Sequence, residues 1–147
     1  PGDVQRMSAG TGVFHSEMNP LPDAPGHFLQ IWLLPETGGI APSYEQIHFP
    51  PETKRGRFRL VASRDGRDGS VSVHQDVAMS AALIDGEEAP TYTLAQGRKA
   101  WVQIARGSVS LNGQPLLAGD AAAVTASGPL AFADGTDAEV IVFDLAA

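Results

Sequence analysis

Ala100-Trp101-Val102-Gln103-Ile104-Ala105, then Arg106-Gly107, then Ser108-Val109-Ser110-Leu111-Asn112-Gly113: this stretch decides the fold. It reads as two β-rich runs around Arg106-Gly107. Asn112-Gly113 is the strongest short hairpin signal, because a type I′ turn needs positive φ at both central residues. Toward the C-terminus, Pro115-Leu116-Leu117-Ala118-Gly119-Asp120 forms a turn ahead of an apolar run at 121–124, and Ser127-Gly128-Pro129 is another break. Residues 130–133 and 139–143 are expected as a last pair of strands about Asp134-Gly135-Thr136-Asp137. A succession of short antiparallel strands is what a sandwich or jelly roll requires. Trp101 is expected to face inward, and Tyr92 to join it as a core aromatic.

Toward the N-terminus, residues 57–62 and 70–77 alternate polar and apolar side chains and read as half-exposed strands. On that reading His74 and Asp76 share a strand face. Phe28-Leu29-Gln30-Ile31-Trp32-Leu33-Leu34 is a more uniformly apolar strand closed by Pro35 and Gly38-Gly39. No window sustains a helical apolar pattern for three turns, and the 16 glycines and 11 prolines keep segments short, so the chain is all-β. The segment 35–56 is expected as the boundary between two units.

The 147 residues fit one domain, or one domain plus a piece of another. A net charge of -7 repels phosphate backbones and disfavours direct nucleic-acid binding. No apolar run approaches the ~20 residues of a membrane-spanning helix, so no membrane role is expected. The absence of cysteine excludes disulfides and thiolate metal sites and is compatible with a cytoplasmic location. Any metal must use His and carboxylate ligands. Pro1-Gly2-Asp3 does not read as a signal peptide and lacks an initiator Met, so the chain is expected to be cut from something longer.

The N-terminal segment carries the candidate chemistry. The glycine turn Gly10-Thr11-Gly12 opens an extended run in which His15 and Glu17 are two apart, so on a strand both project from one face. An imidazole nitrogen and a carboxylate oxygen aimed together make half of a site suited to iron, manganese, nickel or copper. His-x-Glu is short and common, and spacing alone favours reading His15 as a hydrogen-bonded turn histidine and Glu17 as a surface charge. His27, His48 and His74 are isolated, and each is expected to complete a local hydrogen bond or to sit half exposed rather than to bind a metal. Arg55, Arg57 and Arg59 are expected on one strand face that could meet an acidic partner, though the net charge favours a solvated face, with Phe58 and Leu60 turned inward.

Gly2 to Gln5, Met7, Ala9 to Gly12 and His15-Ser16-Glu17 together resemble the pirin family, and Leu29 to Pro35 and Pro42-Ser43-Tyr44-Glu45-Gln46 extend the likeness. Pirins are bicupins, two jelly-roll barrels in tandem with the metal in the first. The resemblance implies that His15 and Glu17 are two of four protein ligands of a divalent transition metal (iron, or nickel, copper or manganese). The other two would come from an upstream His-Pro-His motif absent from this chain. It further implies a parent protein similar to the bacterial pirins that act as quercetin dioxygenases, with a flavonol-like substrate and Glu17 acting as base on its hydroxyl. Without the upstream histidines, the isolated chain is expected to hold no tightly bound metal and to be inactive.

Residues 1–52 are accordingly expected to be a remnant of the metal-binding cupin plus linker, and 53–147 a cupin-type jelly roll. That second barrel reads as metal-free: Pro90 to Leu94, Lys99 to Trp101 and Ser127 to Leu130 stand where a cupin would need its His and Glu ligands. The apolar residues Phe28, Ile31, Trp32 and Leu34 are expected to be covered by self-association or by the missing N-terminal half. The competing reading is a redox-sensing interaction protein, a partner of transcription regulators, with the second barrel as a docking or structural module, and a third is a catalytically silent domain that stabilises its neighbour.

Overall fold

The dense apolar alternation near the C-terminus forms two long strands. In the computed structural model, which describes residues 1–19 and 21–147, β7 spans Arg98–Leu111 and β10 spans Gly128–Ala146. The other strands are β1 (Asp3–Ser8), β2 (Ser43–His48), β3 (Arg59–Ser63), β4 (Val71–Ser72), β5 (Val77–Gly86), β6 (Thr91–Leu94), β8 (Gln114–Leu117) and β9 (Ala121–Val124). Eight of them form one sheet in the order β4-β3-β5-β10-β7-β8, with β6 paired to the start of β10 and β9 to the start of β7. Among the described residues the helical elements are short 3-10 turns at Pro51–Thr53 and Arg67–Gly69, and no strand lies between β1 and β2. The fold is all-β, a cupin-type jelly roll. No described helix is long and apolar enough to cross a membrane.

The sheet rolls because its two long strands bend together. Gly107 in β7 lies at φ 68°, and Asp134 and Asp137 in β10 lie at φ 55° and 45°. The register between β7 and β10 slips at three places from Ala133 to Val140, and such bulges bend a strand and increase its twist. A side chain on Gly107 would collide with the carbonyls of Thr136 and Asp137. A Cβ on Gly135 would come within 2.6 Å of the Ile84 carbonyl oxygen. The expected pair of strands at 130–133 and 139–143 is therefore one bulged strand, whose central Asp-Gly-Thr-Asp is a bend and no hairpin. Arg106-Gly107 likewise bends β7 without ending it. The Asn112-Gly113 hairpin forms as expected, with φ of 49° and 81°.

Bending brings alternate residues of the strands onto one interior. Ile84, Leu94, Val102, Ile104, Leu130, Phe132, Val140 and Val142 are fully buried there, and Phe58 packs against them. The phase set by Ala100, Val102 and Ile104 turns Trp101 outward, 44% exposed, correcting the expectation that it faces the core. Tyr92 is half-buried against this core, as expected.

A second apolar cluster occupies the outer face of the β3-β5-β10 layer: Val61, Val71, Val77, Met79 and Ala81, with Ile141 and Phe143 from β10. Phe49 is buried in it, and Val4, Leu33 and Ile47 from the N-terminal third pack over it. This two-sided burial explains why the first eight residues of β5 are all buried. The ribbon of β1 and β2, paired from Asp3↔His48 to Ser8↔Ser43, sits over this face. The expected boundary at 35–56 thus contains a strand and a core phenylalanine.

Three strand assignments are also corrected. Residues 28–34 form no strand, residues 74–76 are a bend between β4 and β5, and the strand expected from Arg57 starts at Arg59. Apolarity at 28–34 marks a segment with a surface to cover. It does not by itself supply the partner strand whose hydrogen bonds would define it.

Candidate functional site

β1 delivers the chain to a glycine elbow and then to His15 and Glu17. After Ser8, the Gly12 amide donates to the Ala9 carbonyl at 2.8 Å and the Thr11 amide to the Ile40 carbonyl at 3.2 Å. Gly10 lies at φ 54°, and any side chain there would collide with the Ile40 carbonyl, so only glycine fits. Beyond the elbow, His15 and Glu17 are exposed and lie outside any strand. The premise that strand alternation aims both from one face is corrected: the segment has no strand partner among the described residues. Neither side chain has a hydrogen bond or ion pair among the described residues.

As donors, a neutral imidazole nitrogen and a carboxylate oxygen suit a first-row transition metal. They are two ligands, where protein sites for such metals use three or more. Among the described residues no group of three or more His, Asp and Glu side chains is gathered at one place. His27 and His74 are exposed, and His74 contributes only its carbonyl, which accepts from the Glu36 amide at 2.8 Å. His48 makes the local contact expected of it: its Nδ1 lies 2.6 Å from Asp3 Oδ1 across the ribbon. That imidazole, through its hydrogen bond, holds the Asp3 carboxyl below its ordinary range.

The interior of the jelly roll is packed with aliphatic side chains, and Val102, Ile104, Val140 and Val142 leave no polar donor at its centre. Its polar groups lie at one mouth. Asp144 faces inward on β10 and accepts from Arg98 Nε at 2.6 Å and from the Tyr92 hydroxyl at 3.0 Å. Arg98 Nη1 also donates to Asp76 at 2.8 Å. Burial, and then the Asp144 charge, pushes the Tyr92 phenol up to about 12. The adjoining cleft is lined by Arg64, Asp65, Arg67, Asp76, Arg98 and Asp144. Each guanidinium is already paired, Arg64 with Glu36, Arg67 with Asp65, and Arg98 with both carboxylates. The cleft is charge-balanced, which makes the mouth a structural clasp.

Sequence reasoning passed over this clasp, although Asp144 follows Val140 and Val142 at inward spacing and a buried carboxylate demands a partner. The three arginines share no strand face, which corrects that expectation: Arg55 and Arg57 precede β3 and are exposed, with Arg55 3.9 Å from Glu88 and Arg57 donating to the Glu52 and Thr53 carbonyls, while Arg59 opens β3, half-buried over the Phe49 ring.

The family model described as the quercetinase C-terminal cupin domain matches residues 60–145, and the model described as pirin matches residues 1–33. A quercetin 2,3-dioxygenase of Escherichia coli is 39% identical over 144 residues, covering 98% of this chain and 61% of that protein. A pirin-like protein of Caulobacter vibrioides is 34% identical over 146 residues, covering 99% of this chain and 62% of its own length. Among solved structures, the bacterial pirin YhhW of Escherichia coli in complex with nickel(II) superimposes with a TM-score of 0.88 at 39% identity, covering 99% of this chain and 62% of that one. The chain therefore spans about three-fifths of the length of these relatives.

Proposed function

This chain belongs to the pirin family, and from that premise we propose that it serves a metal-dependent dioxygenase of flavonol-type substrates such as quercetin, with His15 and Glu17 as half of the metal's protein ligands. The observation that carries the reading is His15-Ser16-Glu17 following the glycine elbow, inside the stretch matched by the pirin model. The relatives' names support the substrate class, and the nickel(II) complex of YhhW supports a divalent metal. On this proposal residues 1–52 belong with the metal-binding barrel and residues 53–147 are a metal-free cupin that supports it.

Each residue has a defined task. His15 would bind through one ring nitrogen and must be neutral to do so. Glu17 would bind through carboxylate oxygen and take the proton of the flavonol hydroxyl, a transfer that requires its oxygen within ~3 Å of that hydroxyl. The bound metal would supply the polarisation of substrate and O2 that no side chain here provides. The remaining ligands would come from an upstream segment bearing two histidines.

Two measurements test this. Quercetin-dependent oxygen uptake by the longer protein, abolished or strongly reduced by Glu17→Gln with the fold intact, is the expected result. Full activity of Glu17→Gln would remove Glu17 from its role. A longer protein that keeps its metal yet consumes no oxygen with any flavonol would favour an interaction protein instead. For the 147-residue chain alone, elemental analysis after dialysis is expected to find no stoichiometric metal.

A further inference from the structure

The segment bearing His15 and Glu17 is anchored on both sides. Beyond it, the Leu34 carbonyl accepts from Gln75 Nε2 at 2.7 Å, the Glu36 amide donates to the His74 carbonyl at 2.8 Å and Glu36 pairs with Arg64 at 2.6 Å. Before it, the polar tie runs through Arg6 and its partner Glu45. Arg6, whose side chain is 14% exposed, points from β1 toward the barrel. Its Nε donates to the Ser72 carbonyl on β4 at 2.8 Å, and its Nη1 donates to Ser43 Oγ at 2.6 Å and Ser8 Oγ at 3.3 Å. Its Nη2 donates to Glu45 Oε2 at 3.2 Å. The same Glu45 oxygen accepts from the Ser72 amide at 2.9 Å and the Ser72 hydroxyl at 3.1 Å. One planar guanidinium thus joins the Ser8–Ser43 end of the ribbon, Glu45 on β2 and the edge strand β4. A fixed fork does this and a flexible ammonium does not.

The tie lies just upstream of the elbow. Ser8, an Arg6 acceptor, is the last residue of β1, and the hydrogen bonds at Thr11 and Gly12 follow at once. From Gly12 to His15 the chain can span only about 10 Å. Among the described residues, 13–18 make no hydrogen bond to the barrel. The nearer anchor of His15 and Glu17 is therefore the ribbon, since the contacts at Leu34 and Glu36 lie 17 or more residues beyond Glu17. Val4 and Ile47 hold the ribbon down by apolar contact, which is non-directional, whereas Arg6 fixes its position along β4.

We propose that Arg6, through Ser72 and Glu45, is a positioning residue for the His15–Glu17 pair, registering the metal-ligand segment against the second barrel. The proposal rests on the metal reading above. It assigns the second barrel a role as the template for a site it does not itself contain.

The test compares Arg6→Ala and Arg6→Lys with the unaltered protein in two assays. In the 147-residue chain, amide hydrogen exchange at Thr11 and Gly12 is expected to quicken at least about tenfold in Arg6→Ala, and Arg6→Lys is not expected to restore it, while Val102 and Val140 in the barrel core keep their protection. In the longer protein, nickel(II) affinity is expected to fall roughly tenfold to a hundredfold, the range seen when an outer partner of a ligand is lost. Unchanged protection at Thr11 would overturn the proposal, as would a uniform loss that includes Val102, which is a plain stability effect. Faster elbow exchange with unchanged nickel(II) affinity would also overturn it. If the unaltered longer protein takes up no nickel(II), the metal reading itself fails, and the exchange assay alone decides whether Arg6 registers the segment.

Discussion

Asp144 and Arg98 meet at 2.6 Å at the mouth of the barrel, and because the same carboxylate accepts from Tyr92, one side chain joins β6, β7 and β10. Asp144→Asn keeps the shape and removes the charge. It is expected to cost about 1.5–3 kcal/mol in urea unfolding, the range for hydrogen bonds to charged groups. Asp76→Asn breaks the more exposed arm of the clasp and is expected to cost less than about 1 kcal/mol. Equal costs would show that the clasp is not organised around Asp144.

The raised Tyr92 phenol makes a prediction at high pH. Its folded pKa of about 12 lies above the ordinary 10.0, because burial and the Asp144 charge disfavour phenolate. The native state therefore holds the proton more tightly than the unfolded chain. The corresponding stability is fully present below pH ~10 and is lost as pH rises from there through the folded value. In a Tyr44→Phe background only Tyr92 reports, since the chain has two tyrosines. Its ionisation absorbance is expected to rise only near pH 12 or on unfolding, and Asp144→Asn is expected to lower that midpoint.

The bend at Gly107 and the hairpin at Gly113 both have positive φ, at 68° and 81°, but differ in space. Gly107 lies against the Thr136 and Asp137 carbonyls, while nothing lies within 4 Å of the Cβ position at Gly113. Gly113→Ala is expected to cost about 1–2 kcal/mol from backbone conformation alone. Gly107→Ala adds a backbone collision and is expected to exceed about 4 kcal/mol or to prevent folding. Comparable midpoints in denaturant would refute the account of the bend.

Glu45 is held below its ordinary range by the Ser72 amide first, then by the Ser72 hydroxyl and Arg6. A depressed carboxylate contributes stability that is present above its unfolded value and lost as pH falls through the folded one. The ribbon joint is thus expected to loosen in acid before the barrel does. Ser72 amide protection, followed downward from pH 5, is the readout, and Glu45→Gln is expected to flatten its pH dependence.

Phe14, Met18, Phe28, Trp32 and Leu34 are largely exposed in the single chain, Trp32 at 87%. Covering each such side chain contributes ~1.5–3 kcal/mol. In a Trp101→Phe background, Trp32 fluorescence is expected to be that of a wet indole in dilute monomer and to shift blue on self-association or on adding a segment that carries the two proposed histidines. A compact monomer at high concentration with a wet Trp32 would count against any covering partner.

The sequence alone determined the β class, the Asn112-Gly113 hairpin, the strand at 121–124 and the identity of His15 and Glu17 as the candidate pair. Each of these is a local property: positive φ at two adjacent turn residues, apolar runs between breaks, a motif of contiguous residues. The outward Trp101, the fusion of two expected strands into the bent β10, the Asp144 clasp and the Arg6 joint were decided only in three dimensions. Strand phase depends on which face the neighbouring strands bury. Whether Asp134-Gly135-Thr136-Asp137 makes a hairpin or a bulge depends on β7 and β5 lying alongside to continue the ladder. Arg6 and Ser72 are 66 residues apart, and no pattern along the chain announces a bond whose partners meet only when the ribbon folds onto the barrel. Residues 28–34 show the same physics in reverse: apolarity is written in the sequence, but a strand exists only where another strand accepts its hydrogen bonds.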